Sequence, residues 1–179
     1  MSFPVDGLPD DAGLSFTQVL YRSRSVASVQ SGMKMSDILD EARVGNARDH
    51  ITGVLTSVGG FFVQIIEGPE PQIDALMKKL GKDARHTDLE VLERRVVARR
   101  LFGDWDMVSP VLAPLEVATL GLLFATPGAG IDDYAAILSA AVAKQEDMLE
   151  GRRSGDLGDR QALEPQDPTQ VSVDRQPRS

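Results

Sequence analysis

The sequence predicts an α+β fold: a sheet in the ferredoxin-like order β-α-β-β-α-β-β, two helices on one face, and a C-terminal helical extension covering the other. Three observations lead to this prediction. Short strand-like segments alternate with segments of helical periodicity. A Gly59-Gly60 pair separates two adjacent strand-like segments, which is typical of a hairpin. Two further apolar helical segments follow residue 110, and they can cover a sheet face that would otherwise be an exposed apolar patch.

Strand-forming residues concentrate in five segments of the chain: 16–22, 51–58, 61–67, 89–98 and 102–109. Each segment is short, rich in β-branched, aromatic or other apolar residues, and bounded by glycine, proline or polar residues. We therefore expect a five-stranded sheet in which the glycine pair joins the second and third strands.

Two segments between these strands have the periodicity of helices that bury one side. Ser36 is a suitable N-cap for the first helix, which should fray near Gly45-Asn46. Pro71 suits the first turn of the second helix, and Gly81 stops it. This order of strands and helices is the split β-α-β arrangement, with one extra strand at the end.

The chain is expected to divide into four parts. They are a flexible leader (1–15), a main domain (16–110), a helical extension (111–150, with helices over 115–124 and 131–149) and a disordered tail (151–179). The tail is assigned because apolar residues thin out after Gly151, so that this segment cannot bury enough surface to order itself.

Composition excludes several classes of function. The net charge of −8 argues against non-specific nucleic-acid binding, which needs a basic surface. The chain has no cysteine and only two histidines, so thiol chemistry is excluded and no metal site is predicted. We see no secretory signal and no apolar run of membrane-spanning length, and we therefore expect a soluble, cytoplasmic protein with no membrane partner.

Gln64 is the polar exception in the apolar run 61–67. A buried amide is costly unless its donors and acceptors find partners. Neighbouring backbone could satisfy it, or a polar ligand could lie on that face of the sheet, and the residue pattern alone leaves both interpretations open.

Five separated motifs together resemble those of a known family. They are Leu-Tyr-Arg-Ser at 20–23, Asn46-Ala47-Arg48 followed by Ile-Thr-Gly at 51–53, Gln-Ile-Ile-Glu-Gly at 64–68, Asp-Ala-Arg-His at 83–86 and Trp-Asp-Met at 105–107. In this order and at this spacing they resemble the BLUF domain, a flavin-binding blue-light sensor module, over roughly residues 16–110. Because residues 111–179 are too few for a cyclase or phosphodiesterase domain, the chain looks like a short, stand-alone sensor and not an enzyme.

The resemblance implies a flavin, usually FAD although FMN is possible, inserted between the two helices beside the sheet. Tyr21 and Gln64 would be the photoactive pair at the polar edge of the ring. The flavin-binding residues would be Ile38, Asn46, Gln64, Lys79, Asp83, Arg85 and His86, and the signalling residues Trp105 and Met107. Gly45 departs from the family pattern, in which a polar residue often precedes the asparagine, and this could remove one contact with the ring.

The resemblance also implies a mechanism. Blue light would drive electron transfer from Tyr21 and proton transfer through Gln64, leaving Gln64 in a changed hydrogen-bond state that red-shifts the flavin absorption. The signal would pass to an unknown protein partner or to a homo-oligomer. The alternative from another class is a light-insensitive ferredoxin-like module that binds flavin or a partner. A third, weaker option is an acylphosphatase-like hydrolase, but residues 23–32 do not resemble its anion-binding loop.

Overall fold

The computed structural model describes residues 15–26, 32–103 and 107–161, with only the backbone for 32–37 and 152–161. The elements are β1 (Phe16–Ser25), α1 (Gly32–Arg48), β2 (Thr52–Val58), β3 (Phe61–Gly68), α2 (Glu70–Leu80), β4 (His86–Val97), α3 (Pro114–Leu123) and α4 (Ile131–Gln161). The chain divides into two compact units, with the boundary between Gln145 and Glu146 inside α4. The first unit contains the sheet.

The described residues form a four-stranded sheet in the order β2-β3-β1-β4. All three strand pairs are antiparallel. Because β3 lies between β1 and β2 and is antiparallel to both, β1 and β2 run in the same direction. This is the split β-α-β order that the sequence predicts, and the α+β, ferredoxin-like fold class is confirmed. The register places Gln64 of β3 between Tyr21 of β1 and Leu55 of β2.

Both faces of the sheet are covered, which is why β3 is buried along nearly its whole length. One face packs against α1 and α2 through Val19, Tyr21, Leu39, Ile51, Leu55, Phe62, Ile66, Ile73 and Met107. The other face packs against α3 and the first part of α4 through Leu20, Val54, Val58, Val63, Ile65, Phe102, Leu120, Ile131, Tyr134, Ala135, Leu138 and Val142. The predicted arrangement of two helices on one face and a helical extension on the other is therefore confirmed.

The predicted hairpin between β2 and β3 turns at two glycines with positive φ. Gly59 has φ 59° and Gly60 has φ 83°, as a type I′ turn requires at both central positions. Side chains other than Asn or Asp adopt this conformation rarely, so the glycine pair sets the register that brings Gln64 opposite Tyr21.

The predicted fifth strand over 102–109 is reduced to a single parallel bridge between Val54 and Val108. The Leu55 N–H donates to Val108 O at 2.9 Å, and the Val108 N–H donates to Gly53 O at 3.1 Å. β4 and β2 are the two opposite edges of the sheet, so after β4 the chain must cross the width of the sheet before it can pair with β2. Few residues then remain before Pro110, which cannot donate to a strand ladder.

Helix α1 differs from its prediction at both ends, since it begins at Gly32 instead of after Ser36 and continues to Arg48. His50, with φ 54° in the left-handed region, follows its last turn, so the helix does not fray near Gly45-Asn46 as predicted. The Ile51 N–H donates to Asn46 O at 2.8 Å, which closes the helix terminus. Asn46 therefore lies in the last turn of the helix, and its side chain is buried.

Helix α4 continues beyond Leu149, its predicted end, to Gln161, so that residues 151–161 of the expected tail are helical. Extending an existing helix costs far less than nucleating one, and no proline interrupts the chain before Pro165. The rest of the expected tail and nearly all of the expected leader lie outside the described residues. Within the described part of the chain, no helix is long and apolar enough to cross a membrane.

Candidate functional site

A cavity of about 280 Å³ lies beside the sheet and is walled by both α1 and α2. Strands β1 to β3 and the loop after α2 complete its lining. It brings together eight residues that the sequence nominates: Tyr21, Ile38, Asn46, Gln64, Lys79, Asp83, Arg85 and His86. These residues come from separate parts of the chain, and only the fold places them around one space.

Tyr21 and Gln64 form a buried hydrogen-bonded pair in the wall of this cavity. They are cross-strand partners, so their side chains lie on the same face of the sheet. The Tyr21 hydroxyl donates to Gln64 Oε1, and the two residues are 3% and 5% exposed. Burial, reinforced by the negative charge of Asp83, raises the pKa of Tyr21. Tyr21 is therefore a neutral phenol at physiological pH.

Met107 occupies the other end of the Gln64 amide. Gln64 Nε2 donates to Met107 Sδ at 3.3 Å, and Met107 is buried. Arg43 Nε donates to the Met107 carbonyl oxygen at 3.0 Å, which ties this segment to α1. Trp105, the other predicted signalling residue, lies outside the described residues.

Glu67 holds the beginning of the segment that leads to Met107. Its fully buried carboxylate accepts hydrogen bonds from Gln18 Nε2 at 2.8 Å and Thr52 Oγ1 at 3.0 Å. It also accepts the backbone N–H of Leu101 at 2.8 Å and of Phe102 at 2.6 Å. A buried carboxylate is stable here because all these donors converge on it. Glu67 thus fixes the position at which the chain leaves β4 and crosses towards Gln64.

Three buried polar atoms at the cavity indicate which kind of ligand fits there. Ser23 Oγ, Asn46 Nδ2 and His86 Nδ1 have no hydrogen-bond partner among the described residues, and all three residues line the cavity. Burial lowers the pKa of His86, which favours the neutral imidazole. Unpartnered buried polar groups are costly, so these atoms fit a ligand that carries polar groups on its edge.

The rest of the lining fits the flat, apolar body of such a ligand. Apolar side chains come from every wall: Ile38 and Ala42 from α1, Leu55 and Phe62 from the sheet, and Leu76 and Leu80 from α2. An apolar slot with a few placed polar groups is the usual form of a cofactor site. A Cβ built on Gly45, which also lines the cavity, would contact nothing within 4 Å among the described residues, so glycine leaves extra space at this point.

Charged residues meet at one end of the cavity, and the predicted cations there already have carboxylate partners. Arg85 donates to Asp83 and to Glu41, at 2.9 Å in the second case. Lys79 Nζ lies 3.5 Å from Glu41 Oε1. The hydrogen bond from Arg85 lowers the pKa of Glu41, and the same guanidinium lowers that of Asp83.

Glu41 lines the cavity and pairs with both cations, but the sequence did not nominate it. The signal was present, because Glu41 follows Ile38 by three residues and shares its side of α1. Among the described residues, no group of three or more histidine, aspartate or glutamate side chains could hold a metal ion.

Comparison with known proteins gives a family for this arrangement. The family model described as sensors of blue-light using FAD, or BLUF, matches residues 16–108. Photoactivated adenylate cyclase subunit beta of Euglena gracilis is 31% identical over 96 residues, which is 53% of this chain and 11% of that protein. The blue light- and temperature-regulated antirepressor BluF of Escherichia coli (strain K12) is 29% identical over 87 residues, 49% of this chain and 21% of that one.

Structural similarity agrees with the sequence matches. The dark-state structure of BlrB, a BLUF protein, has a TM-score of 0.57 and 30% identity, and the match covers 73% of this chain and 97% of that one. This chain covers only 11% and 21% of the length of these two curated relatives, so the matches do not extend to their whole activity. The fold, the cavity with its Tyr21–Gln64 pair and the family match together show that this chain belongs to the BLUF family of flavin-binding blue-light sensors.

Proposed function

We propose that this protein is a blue-light photoreceptor that binds an oxidised flavin in the cavity between α1 and α2 and responds through Tyr21 and Gln64. The observation that carries the proposal is the buried hydrogen bond from the Tyr21 hydroxyl to Gln64 Oε1 in the cavity wall. A bound flavin supplies the absorption of blue light and an acceptor for one electron. The two side chains supply the electron, the proton and the group that changes its hydrogen bonds.

Tyr21 is suited to donate because it carries its proton at physiological pH. Its raised pKa keeps the phenol neutral, and its hydroxyl already points at Gln64 Oε1. When an electron leaves the phenol, its proton therefore has an acceptor within hydrogen-bond reach. Electron and proton then return to Tyr21, so the net change is confined to the hydrogen bonds of Gln64.

Gln64 has two hydrogen-bonding states of unequal energy. In the present orientation Oε1 accepts from Tyr21 and Nε2 donates to Met107 Sδ. A reversed amide would place Oε1 against the thioether sulfur, which has no proton to donate. Met107 therefore favours the present orientation as the dark state, and the other state needs a new partner for the amide, such as a carbonyl of the flavin ring.

The remaining cavity residues are proposed to hold and orient the flavin. Asn46, with its unpartnered Nδ2, would face the polar edge of the ring, and Ile38 would pack against its flat surface. Lys79 and Arg85, with Asp83 and His86 beside them, would lie near the ribityl and phosphate end. We propose FAD as the natural flavin, because the family description names it. Extraction and chromatography of the flavin from purified protein would distinguish FAD from FMN.

The signal is proposed to leave through the segment that carries Met107 and, by family resemblance, Trp105. Val108 follows Met107 directly and pairs with the edge of β2, so a change at Gln64 has a short route to this edge. Relatives are an adenylate cyclase subunit and an antirepressor by name. For this chain we propose an unidentified protein partner or a homo-oligomer, which light scattering in dark and light would test. Cytoplasmic location stays a prediction for cell fractionation.

The test is the absorption spectrum of purified, flavin-loaded protein before and after blue light. The flavin band should shift to longer wavelength and return in the dark. Tyr21→Phe and Gln64→Leu should each bind flavin and lose the shift. Tyr134→Phe is the matched control, because Tyr134 is the only other tyrosine and packs on the opposite face of the sheet.

Each alternative outcome is informative. A protein that binds flavin without the shift would be the light-insensitive module considered from the sequence. A shift that persists in Tyr21→Phe would remove Tyr21 from the mechanism. Failure to bind any flavin would overturn the proposal.

A further inference from the structure

Glu41 occupies a place in the cavity that no motif assigns to it. It lies on the cavity side of α1, and its carboxylate is shared by the two cations proposed for the phosphate end of a flavin. Glu41 Oε2 accepts from Arg85 Nη1 at 2.9 Å, and Oε1 lies 3.5 Å from Lys79 Nζ. Any anionic group that approaches these cations must therefore compete with a carboxylate already present.

Asp83 is not the partner that a ligand would displace. It accepts the Arg85 Nε and Nη2 groups, at 2.9 and 2.5 Å, and also the backbone N–H of Arg85 at 2.9 Å. Its side chain is 14% exposed, whereas that of Glu41 is 54% exposed. Asp83 thus belongs to the structure of its own turn, and Glu41 reaches across from another helix to complete the pair. Glu41 is the replaceable partner.

The charges around the cavity are balanced. Arg48, Lys79 and Arg85 line it on the positive side, and Glu41, Asp49 and Asp83 on the negative side. Arg48 and Asp49 pair with each other at 2.8 Å, so they do not alter the balance at Lys79 and Arg85. A phosphate entering here meets a neutral group of charges instead of a cationic one.

We propose that Glu41 is a specificity-determining residue: it competes with flavin phosphate for Lys79 and Arg85 and thereby offsets the preference of these cations for the phosphorylated flavins. The proposal rests on flavin binding at this site. Exchange of one anion for another on the same cations is nearly balanced, so the phosphate adds little affinity. The ring and ribityl contacts then supply most of the binding.

Neutralising Glu41 should make the affinity for a flavin depend on whether it carries phosphate. In Glu41→Gln the two cations lose a competing anion, and their attraction for FMN and FAD is no longer offset. The expected effect is about a threefold to tenfold gain in affinity for FMN and FAD, the scale of one or two exposed charge interactions. Riboflavin has no phosphate, and its affinity should stay the same. Glu41→Lys should increase the preference for phosphate further.

The experiment is a titration of flavin-free protein with riboflavin, FMN and FAD, followed by quenching of flavin fluorescence. An ionic strength of about 0.01 M leaves exposed charges largely unscreened, and a repeat at about 0.15 M should shrink the effect. Asp40→Asn is the matched control: it removes the same charge one residue earlier, from a side chain that pairs with Arg43. It should leave the ratio of the affinities unchanged.

The outcomes separate this proposal from flavin binding itself. Wild-type protein that binds riboflavin sustains the flavin site whatever Glu41 does. If Glu41→Gln then changes all three affinities equally, or changes none, Glu41 does not select on phosphate and the proposal is wrong. If wild-type protein binds none of the three flavins, the proposed function fails first and the role of Glu41 fails with it.

Discussion

Replacing Asn46 with alanine is expected to affect the stability of the flavin-free protein and its affinity for flavin in different ways. Asn46 is 4% exposed, and its Nδ2 has no hydrogen-bond partner within the part of the chain that the structure describes. An unsatisfied buried donor costs about 1–3 kcal/mol. Alanine removes this donor, favours the helix by a few tenths of a kcal/mol, and enlarges a cavity that already exists. The free energy of unfolding of flavin-free protein should therefore stay constant or rise by about 1 kcal/mol.

The same substitution should weaken flavin binding. If Asn46 donates to the ring edge, its loss leaves a flavin acceptor without a partner, at about 1–3 kcal/mol, or about a fivefold to 150-fold weaker Kd. Denaturant unfolding of flavin-free protein and fluorescence titration measure the two quantities. Val44→Ala, at a 78% exposed position of the same helix, should change neither by more than about 0.5 kcal/mol. A large loss of stability without flavin, or unchanged affinity, would refute the reasoning.

Two further predictions concern the surroundings of the site. Glu67→Gln should lower the free energy of unfolding by about 2–4 kcal/mol, because each carboxylate oxygen accepts two hydrogen bonds and an amide nitrogen would face donors instead. Denaturant unfolding measures this change, and Glu70→Gln, at an exposed glutamate, is the control. Equal losses of stability in the two variants would show that the hydrogen bonds of Glu67 do not stabilise the fold. Burial lowers the pKa of His86 in the folded protein, so below about pH 6.5 the unfolded chain binds more protons than the folded one. The free energy of unfolding should therefore fall as pH is lowered from about 7 to about 5. His86→Asn should flatten this pH dependence in thermal unfolding, whereas a slope that survives it but disappears in the control His50→Asn would contradict the assignment.

The sequence was sufficient where local chemistry determines structure. The two glycines at 59–60 predicted a hairpin because few other residues adopt positive φ at both central positions, and the structure has that turn. Helix α2 begins and ends close to the residues that proline and glycine indicated. The strand order followed from the alternation of strands and helices, since few chain paths satisfy it.

The sequence was insufficient where long-range geometry decides. Residues 102–109 have the composition of a strand, but the chain reaches the edge of β2 only after crossing the sheet, and a single bridge at Val108 results. The end of α1 was misplaced because Gly45-Asn46 resembles a helix terminus. His50 supplies the left-handed residue instead, and no local rule ranks a histidine above a glycine for that role.

In the candidate site, too, the sequence predicts what local motifs determine and misses what long-range geometry decides. Motif order was enough to nominate Tyr21 and Gln64, and strand register then explains why they meet. The ion pairs of Glu41 with Lys79 and Arg85 were not foreseen, because they depend on the distance between α1 and the end of α2. Helical spacing from Ile38 could have placed Glu41 on the cavity side, but not its partners.

The infrared difference spectrum between illuminated and dark flavin-loaded protein is the most direct test of the account, because it records hydrogen bonding to the flavin carbonyl itself. If light gives the Gln64 amide a new partner on the ring, the carbonyl stretch should move to lower wavenumber in wild-type protein and in Tyr134→Phe. It should not move in Gln64→Leu. The same downshift in Gln64→Leu would mean that another group makes the bond, and the central role of Gln64 would be wrong.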